Sequence, residues 1–243
     1  TLTGGAGADS ISGGAGDDVL TGGAGDDDLN GGADADQVSQ TVDADQVLTA
    51  NQLTGNGTDS LTDIENASLT GGAEANTITA TGFTGAVTLD GGAGNDHITQ
   101  SADTDQTLSD TLLTGQGTDT ISGMESAELS GGDGDNVIDA SAFTAGPVTI
   151  TDELGDDTLI GGTGQDTLFG GWDDDVISGL MLAGDGGDEG FGGYPRHRAA
   201  RSLALYTALL PQRVRTGWIP RAAANLPDRA EGLQGLRRVR RFL

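Results

Sequence analysis

Aliphatic residues recur at a nine-residue interval along two stretches of the chain. Residues 4–39 read GGAGADSIS, GGAGDDVLT, GGAGDDDLN and GGADADQVS, and residues 152–178 read DELGDDTLI, GGTGQDTLF and GGWDDDVIS. Single copies begin at Gly71, Gly91 and Gly131. Position eight is aliphatic in all ten units: Ile11, Leu20, Leu29, Val38, Ile78, Ile98, Ile138, Leu159, Leu168 and Ile177. Each unit therefore predicts one short β-strand with a single aliphatic side chain facing inward.

Glycine and aspartate also recur at fixed positions. Positions one, two and four are mostly Gly, which allows backbone conformations closed to other residues and predicts a tight turn with inward carbonyls. Position six is Asn at Asn76 and Asn136, and Asp in the other eight units. Self-similarity at a fixed period predicts a solenoid. A Gly- and Asp-rich linker without fixed structure is the alternative, but it does not explain ten aliphatic residues in phase.

A longer repeat lies between the two tandem blocks. TGNGTDSLTDIENASLTGG at residues 54–72 matches TGQGTDTISGMESAELSGG at residues 114–132. Both Asn exceptions at position six fall at the same place in this longer unit, which indicates a duplication. We expect residues 40–151 to continue the solenoid, with irregular loops as the alternative for residues 40–70 and 99–113.

Charge is distributed unevenly along the chain. The net charge is −27, all 11 basic residues are Arg, and every Arg lies after residue 195, where only Asp228 and Glu231 are acidic. The acidic part has no internal cation and repels itself, so it needs counter-charge from outside, most simply from multivalent cations. The division indicates two parts with different histories or partners.

The composition is poor in material for a conventional core. Among 243 residues there are 43 Gly and no Cys, and aromatic residues make up 4%. Disulfides are therefore excluded, and one aliphatic side chain per unit cannot offset an ordering cost of roughly 1–2 kcal/mol per residue. We expect the acidic part to be disordered without a bound cation. No apolar run could span a bilayer, and the chain opens in mid-pattern without a signal peptide, as a fragment or processed chain would.

The repeated turn supplies the ligands that calcium prefers. Ca²⁺ takes about six to eight oxygens from carboxylates and carbonyls, and stacked turns can complete each other's sites. The nonapeptide resembles the repeat of the RTX, or haemolysin-type, calcium-binding family, closely in residues 4–39 and 152–178 and loosely in residues 40–151. The resemblance implies a right-handed parallel β-roll that folds on several Ca²⁺ ions outside the cell.

By position, the resemblance assigns ligand roles to aspartate side chains and glycine carbonyls. Asn76 and Asn136 lack the charge, and we predict no metal there. The predicted carboxylate ligands are Asp9, Asp18, Asp27, Asp36, Asp96, Asp157, Asp166 and Asp175. The predicted carbonyl ligands are Gly5, Gly7, Gly14, Gly16, Gly23, Gly25, Gly162 and Gly164.

The stretch LAGDGGDEGFGGYPRHRAAR, residues 182–201, departs from the repeat. One more turn of the repeat, with Asp188 at position six, is an alternative for this stretch, but position eight is Gly190 rather than an aliphatic residue. The stretch resembles the strand, acidic loop and basic helix of the synthetase domain of glutamine-hydrolysing asparagine synthases. The resemblance implies an ATP- and Mg²⁺-binding loop in which Asp185 assists amide transfer and Asp188 and Glu189 arrange substrate and Mg²⁺.

Essential parts of that enzyme are absent from the chain. It lacks the Ser-Gly-Gly-x-Asp-Ser loop that binds pyrophosphate, and it has no Cys to serve as the glutaminase nucleophile. We therefore interpret residues 180–243 as an incomplete and inactive piece of an asparagine synthase. Residues 196–210 and 228–242 predict helices. The Arg-rich second helix could contact an acidic surface or a membrane, but an ordinary helix of the family is the simpler interpretation, and no nucleic acid is expected.

The sequence as a whole predicts an all-β protein, a right-handed parallel β-roll followed by a short α-helical segment. Its parts are a calcium-binding roll (1–39), duplicated solenoid repeats (40–151), a second calcium-binding block (152–179) and the asparagine-synthase-like segment (180–243). The predicted function is calcium binding by a structural or adhesive part of a secreted or cell-surface bacterial protein. The alternatives are a cytoplasmic asparagine synthase fragment and a chimera without a single function.

Overall fold

The repeated aliphatic positions form the strands of a β-roll in the computed structural model, which describes residues 1–179. All ten aliphatic residues at position eight lie on strands, and eight of them are buried. Leu168 and Ile177, in the last coils, are partly buried against the same core. The nine-residue aliphatic period therefore becomes a ladder of single side chains through the interior.

The described strands are short and fall into two sheets. An 11-stranded sheet has the order β1-β3-β5-β9-β11-β15-β14-β13-β17-β19-β21, and a 10-stranded sheet has the order β2-β4-β8-β7-β6-β10-β12-β16-β18-β20. Their bounds are β1 Leu2–Ala6, β2 Ser10–Ala15, β3 Val19–Ala24, β4 Asp28–Ala33, β5 Gln37–Thr41, β6 Gln46–Leu48, β7 Gln52–Thr54, β8 Thr58–Thr62, β9 Asn66–Thr70, β10 Thr77–Ala80, β11 Ala86–Asp90, β12 His97–Ser101, β13 Gln106–Ser109, β14 Leu112–Thr114, β15 Thr118–Ser122, β16 Ser126–Ser130, β17 Val137–Ala142, β18 Val148–Thr151, β19 Thr158–Ile160, β20 Thr167–Phe169 and β21 Val176–Ser178.

Successive nonapeptides alternate between the two sheets. In the first block Leu20 pairs in parallel with Leu2 in one sheet, and Leu29 pairs with Ile11 in the other. Strands two units apart in the sequence are thus neighbours in one sheet, so two nonapeptides complete one coil. This register stacks position eight on position eight and position six on position six. The turn residues of adjacent coils consequently lie next to each other.

Two antiparallel insertions interrupt the parallel roll where the longer repeat lies. Strands β6, β7 and β8 pair antiparallel in the 10-stranded sheet, and β13, β14 and β15 do so in the 11-stranded sheet. The insertions of the two copies of the duplication therefore lie in opposite sheets. The sequence predicted only parallel strands and did not predict these insertions. Residues 40–70 and 99–113 contain strands rather than the irregular loops that remained as an alternative.

Buried glutamine pairs replace aliphatic rungs beside the insertions. Gln46 stands in register with Ile78, and Gln40 Nε2 donates to Gln46 Oε1 (3.1 Å) and to the Thr54 carbonyl (2.9 Å). Gln100 and Gln106 repeat the side-chain contact at 2.9 Å. Buried polar groups persist where they are hydrogen-bonded. These pairs therefore tie each insertion to the adjoining coil.

The all-β fold class, with parallel strands stacked in a roll, is confirmed. No helix occurs in residues 1–179, and that part of the chain consequently has no helix long and apolar enough to cross a membrane. The helices predicted at 196–210 and 228–242 lie outside the described residues.

Candidate metal sites between stacked coils

Aspartate side chains at position six are held in place by the backbone of the preceding coil. Asp27 Oδ1 accepts a hydrogen bond from the N–H of Asp9 at 2.9 Å, and Asp36 Oδ1 accepts one from the N–H of Asp18 at 2.7 Å. Equivalent bonds join Asn76 N to Asp96 Oδ1 (2.8 Å), Asn136 N to Asp157 Oδ1 (2.8 Å) and Asp157 N to Asp175 Oδ1 (3.2 Å). One carboxylate oxygen of each Asp is thus engaged, and the side chain is fixed between coils.

The second carboxylate oxygen of several of these residues is buried without a hydrogen-bond partner. Among residues 1–179 this holds for Oδ2 of Asp27, Asp36, Asp96 and Asp157, and also for Oδ2 of Asp152 at position one. Leaving a buried anionic oxygen unpaired is costly unless a proton or a cation compensates it. These oxygens therefore match the donor set of a hard divalent cation, which prefers carboxylate oxygen.

Glycine at position one provides the space beside these oxygens. A Cβ on Gly22 would lie 2.2 Å from Asp27 Oδ2. A Cβ on Gly4 would lie 2.7 Å from Asp9 Oδ2 and 2.4 Å from the carbonyl oxygen of Gly22 in the next coil. A carboxylate oxygen and a carbonyl oxygen from adjacent coils thus face the same small volume. We did not predict the carbonyls of position one as ligands, although their fixed distance from position six was visible in the sequence.

Replacing Gly22 with Ala should weaken cation binding. Gly22 does not have a positive φ, so the added methyl strains no backbone, but it would occupy the space next to Asp27 Oδ2. We expect the Ca²⁺ concentration at half-binding for this site to rise by about tenfold. Calorimetric titration of the full chain measures it, with Ser12→Ala at an exposed position nine as the control. Unchanged binding by the Gly22→Ala chain would contradict the assignment.

The glycines predicted as carbonyl ligands adopt the expected turn conformations in the first block. Gly5, Gly7, Gly14, Gly16, Gly23 and Gly25 all have positive φ, between 95° and 149°. The carbonyl of Gly5 lies 2.0 Å from where a Cβ on Gly23 would stand, so a side chain would block the stacking of coils. In the same way, a Cβ on Gly162 would lie 2.6 Å from the carbonyl oxygen of Phe143, and a Cβ on Gly164 would lie 2.6 Å from that of Gly146. Their role as ligands stays a prediction.

The remaining predicted carboxylates lie at the ends or in the last coils. Asp9 and Asp18 in the first coils, and Asp175 in the last, are partly exposed. Asp166 Oδ1 accepts from the N–H of Val148 at 2.9 Å, and burial raises the pKa of Asp166. Burial also raises the pKa of Asp96 and Asp157. A raised carboxyl pKa means that the surroundings disfavour the negatively charged form. A bound cation would stabilise that form.

Asparagine at position six satisfies its own hydrogen bonds. Asn76 Oδ1 accepts from the N–H of Gly72 at 2.9 Å, and its Nδ2 donates to Asp43 Oδ1 at 3.5 Å. Asn136 makes the corresponding contacts with Gly132 and Asp103. Each amide is 4% exposed. The two amide groups are thus hydrogen-bonded within the roll, and the absence of metal there stays a prediction.

Four further acidic residues take the place of position six in the structure and were not among the predicted carboxylate ligands. Asp59 Oδ1 accepts from Asp27 N (3.0 Å), Asp119 Oδ1 from Val87 N (3.0 Å), Glu65 Oε2 from Asp36 N (2.8 Å) and Glu125 Oε2 from Asp96 N (2.8 Å). The units TGNGTDSLT and TGQGTDTIS keep Gly at positions two and four and an aliphatic residue at position eight. Thr at position one obscured the match for Asp59 and Asp119. Glu65 and Glu125 are followed by Ala at position eight, and their units lack Gly at positions one and two.

Asp119 links the stability of the roll to pH. Burial raises the pKa of Asp119 to about 6 from the usual 3.8, although the N–H of Val87 offsets part of the shift. Because the pKa of Asp119 is higher in the folded chain than in the unfolded chain, protonation of Asp119 stabilises the fold. This stabilisation is complete below about pH 3.8 and is lost as the pH rises through about 6. Asp119 is not among the carboxylates whose Oδ2 is buried without a partner, and we assign no ion to it. We therefore expect D119N, whose amide oxygen can still accept from Val87, to resist urea better than the parent chain above about pH 7 at saturating Ca²⁺. The difference should shrink as the pH falls below about 6, and a pH-independent difference would contradict the assignment.

Side chains alone do not build a metal site in the described part of the chain. In residues 1–179 no group of three or more Asp, Glu or His side chains is arranged to hold a metal ion. A cation between coils would therefore be shared by one or two carboxylates and by backbone carbonyls. The predicted catalytic residues Asp185, Asp188 and Glu189 lie outside the described residues.

Comparison with known families divides the chain in two. The model of the RTX calcium-binding nonapeptide repeat matches more than half of the chain, at residues 3–38, 70–106, 107–127, 128–143 and 152–180. The asparagine synthase family model matches residues 177–241, so the two matches overlap only at 177–180. A search among curated proteins finds no match to the chain.

Proposed function

The chain belongs to the family of RTX calcium-binding nonapeptide repeats, and on that premise we propose that it is a structural or adhesive part of a secreted bacterial protein whose roll folds when Ca²⁺ binds. The family supports calcium binding by a repeat protein. The proposal adds the coupling to folding, the location outside the cell and the residues that hold the ions.

Uncompensated carboxylate oxygens in the interior are the observation that carries the proposal. Asp27, Asp36, Asp96 and Asp157 are each at most 3% exposed, yet Oδ2 of each has no hydrogen-bond partner. Every Arg of the chain lies after residue 195 and the chain has no Lys, so the roll has no Arg or Lys side chain to pair with these carboxylates. A bound Ca²⁺ would supply the positive charge.

Binding and folding should be coupled because the carboxylates come together only in the stacked coils. Asp9 and Asp27 are 18 residues apart in sequence and touch only through the coil register. Without a cation, stacking brings like charges together, and few aliphatic side chains oppose the loss of chain entropy. When the site exists only in the folded state, the free energy of binding becomes free energy of folding.

The residues of each coil have separate roles in this account. Position-six carboxylates, such as those of Asp27 and Asp36, would contribute Oδ2 to the ion, while their Oδ1 holds the preceding coil. Position-one glycines, such as Gly22, keep the space open beside the carboxylate of their own unit, and the Gly22 carbonyl faces the corresponding space at Gly4 in the preceding coil. Ca²⁺ supplies charge neutralisation and a flexible coordination shell that accepts both kinds of oxygen.

Isothermal titration of the full chain with CaCl₂ tests whether the ions bind. We expect several ions per chain with dissociation constants of about 10⁻⁴–10⁻³ M, the range of extracellular modules. MgCl₂ in place of CaCl₂ should give little heat, because Mg²⁺ demands octahedral geometry and keeps its waters. Absence of Ca²⁺ binding would overturn the proposal.

The asparagine synthase match supports a second candidate, a segment derived from a glutamine-hydrolysing amidotransferase. It is confined to residues 177–241, and the chain contains no Cys for the glutaminase step. ATP and Mg²⁺ would be cofactors only under this interpretation. An ATP-dependent asparagine assay should show no turnover above background, and measurable turnover would favour the enzyme.

Location and partners follow from the proposed role. Free Ca²⁺ is abundant outside the cell, where sites of modest affinity fill, so we propose a secreted or cell-surface location, with the cytoplasm as the alternative. The Arg-rich residues after 195 could contact an acidic surface, such as another roll.

A further inference from the structure

Asp152 stands at position one of its nonapeptide, where the other nine units found in the sequence have Gly. Its side chain is 6% exposed, and Oδ1 accepts a hydrogen bond from the N–H of Glu153 at 3.1 Å. Oδ2 is buried without a partner. A side chain therefore begins at the place that is free of one in those other units.

The register of the roll places the Cβ of Asp152 next to the carboxylate of Asp157. In glycine units a Cβ at position one would lie close to Oδ2 of the unit's own position-six Asp, at 2.2 Å for Gly22 and Asp27 and 2.6 Å for Gly161 and Asp166. Asp152 carries a real Cβ at this position, and Asp157 is the position-six residue of its unit. Asp157 is 1% exposed, and its Oδ2 also has no partner.

The neighbouring coil leaves room for the Asp152 carboxylate but offers no counter-charge. A Cβ on Gly131 would lie 2.2 and 2.3 Å from the two Asp152 oxygens, so a side chain there would displace the carboxylate. The charged groups that act on Asp152 are all acidic, namely Asp157, Asp175 and Asp103, and residues 1–179 contain no Lys or Arg. Two buried like charges side by side are stable only with a shared proton or a cation.

We propose that Asp152 and Asp157 together hold one Ca²⁺ ion through their Oδ2 atoms, at a two-carboxylate site that opens the second repeat block. The inference rests on the proposed calcium function and adds a ligand at a position that is glycine in the other repeats. Carboxylate count is a main determinant of calcium affinity. This site therefore binds more tightly than those with one carboxylate and fills first as Ca²⁺ is added.

Calorimetric titration of the full chain with CaCl₂ tests the site through three variants. D152N keeps the shape but removes the charge, D152G restores the usual residue of position one, and Glu153→Gln removes a charge from the exposed neighbouring residue. We expect both Asp152 variants to lose the tightest binding step, with at least about tenfold weaker affinity for one ion. The remaining ions should bind as in the parent chain, and Glu153→Gln should match the parent.

The outcomes separate this inference from the broader proposal. If the parent chain binds Ca²⁺ and D152G shows the same tightest step, the two-carboxylate site is wrong while calcium binding by the roll stands. If the parent chain binds no Ca²⁺, both fail. D152G answers the question even if D152N does not fold, because a Gly at position one is compatible with the other coils.

Discussion

Changing Asp27 and Asp36 together to Asn is expected to raise the Ca²⁺ concentration at the midpoint of folding by about tenfold or more. Both side chains are buried, and Oδ2 of each lacks a hydrogen-bond partner, so a cation would bind to these negatively charged oxygens. The amide oxygen of Asn can still accept from the N–H groups of Asp9 and Asp18. The double change therefore removes charge while it preserves the hydrogen bonds between coils.

A matched control is available at position five of two neighbouring units. Asp17 and Asp26 are exposed, and each accepts a hydrogen bond from the backbone of the next coil, from Ala35 N at 3.1 Å and Thr58 N at 2.9 Å. D17N with D26N removes the same number of charges and should shift the midpoint much less. Equal shifts in the two double variants would show that net charge, rather than a cation between coils, governs folding.

Shortening Leu29 to Ala is expected to reduce the free energy of unfolding by about 2–5 kcal/mol at saturating Ca²⁺. Leu29 is fully buried and pairs in register with Ile11 on one side and Leu61 on the other. Because the interior is a ladder of single side chains, a cavity there removes contacts with both neighbouring rungs. Urea denaturation measures the loss.

Leu154→Ala is the control for the same change at the surface. Leu154 is 42% exposed at position three of its unit. Its truncation should change the free energy of unfolding by no more than about 0.5 kcal/mol. If Leu29→Ala were equally mild, the aliphatic ladder would not be the core of the roll.

The sequence predicted those parts of the fold that depend on a strict period. Position eight was assigned correctly to strands in all ten units because each coil must bury the same side chain at the same place. The antiparallel insertions were not predicted because Gln46 and Gln106 take the place of aliphatic residues in the ladder, and a polar residue there breaks the pattern. Their stability comes from hydrogen bonds to Gln40 and Gln100, which only the three-dimensional contacts reveal.

The sequence predicted those candidate ligands that are side chains at a fixed position of the nonapeptide. Position six could be identified at Asp27 and Asp157, but Asp59 and Asp119 were missed because the unit around each begins with Thr. The role of Asp152 depends on which residue faces Gly131 across coils, and coil length varies between the blocks. The spacing of Asp152 and Asp157 as positions one and six of one unit was visible in the sequence, but the burial of both Oδ2 atoms without partners was not.

Far-UV circular dichroism of the full chain during a Ca²⁺ titration, with Mg²⁺ as the control, tests calcium-dependent folding most directly. We predict a cooperative change from coil to β-structure at about 10⁻⁴–10⁻³ M Ca²⁺, reversed by a chelator and absent with Mg²⁺. A β-spectrum that is already complete without Ca²⁺, or a coil spectrum unchanged by it, would contradict the account.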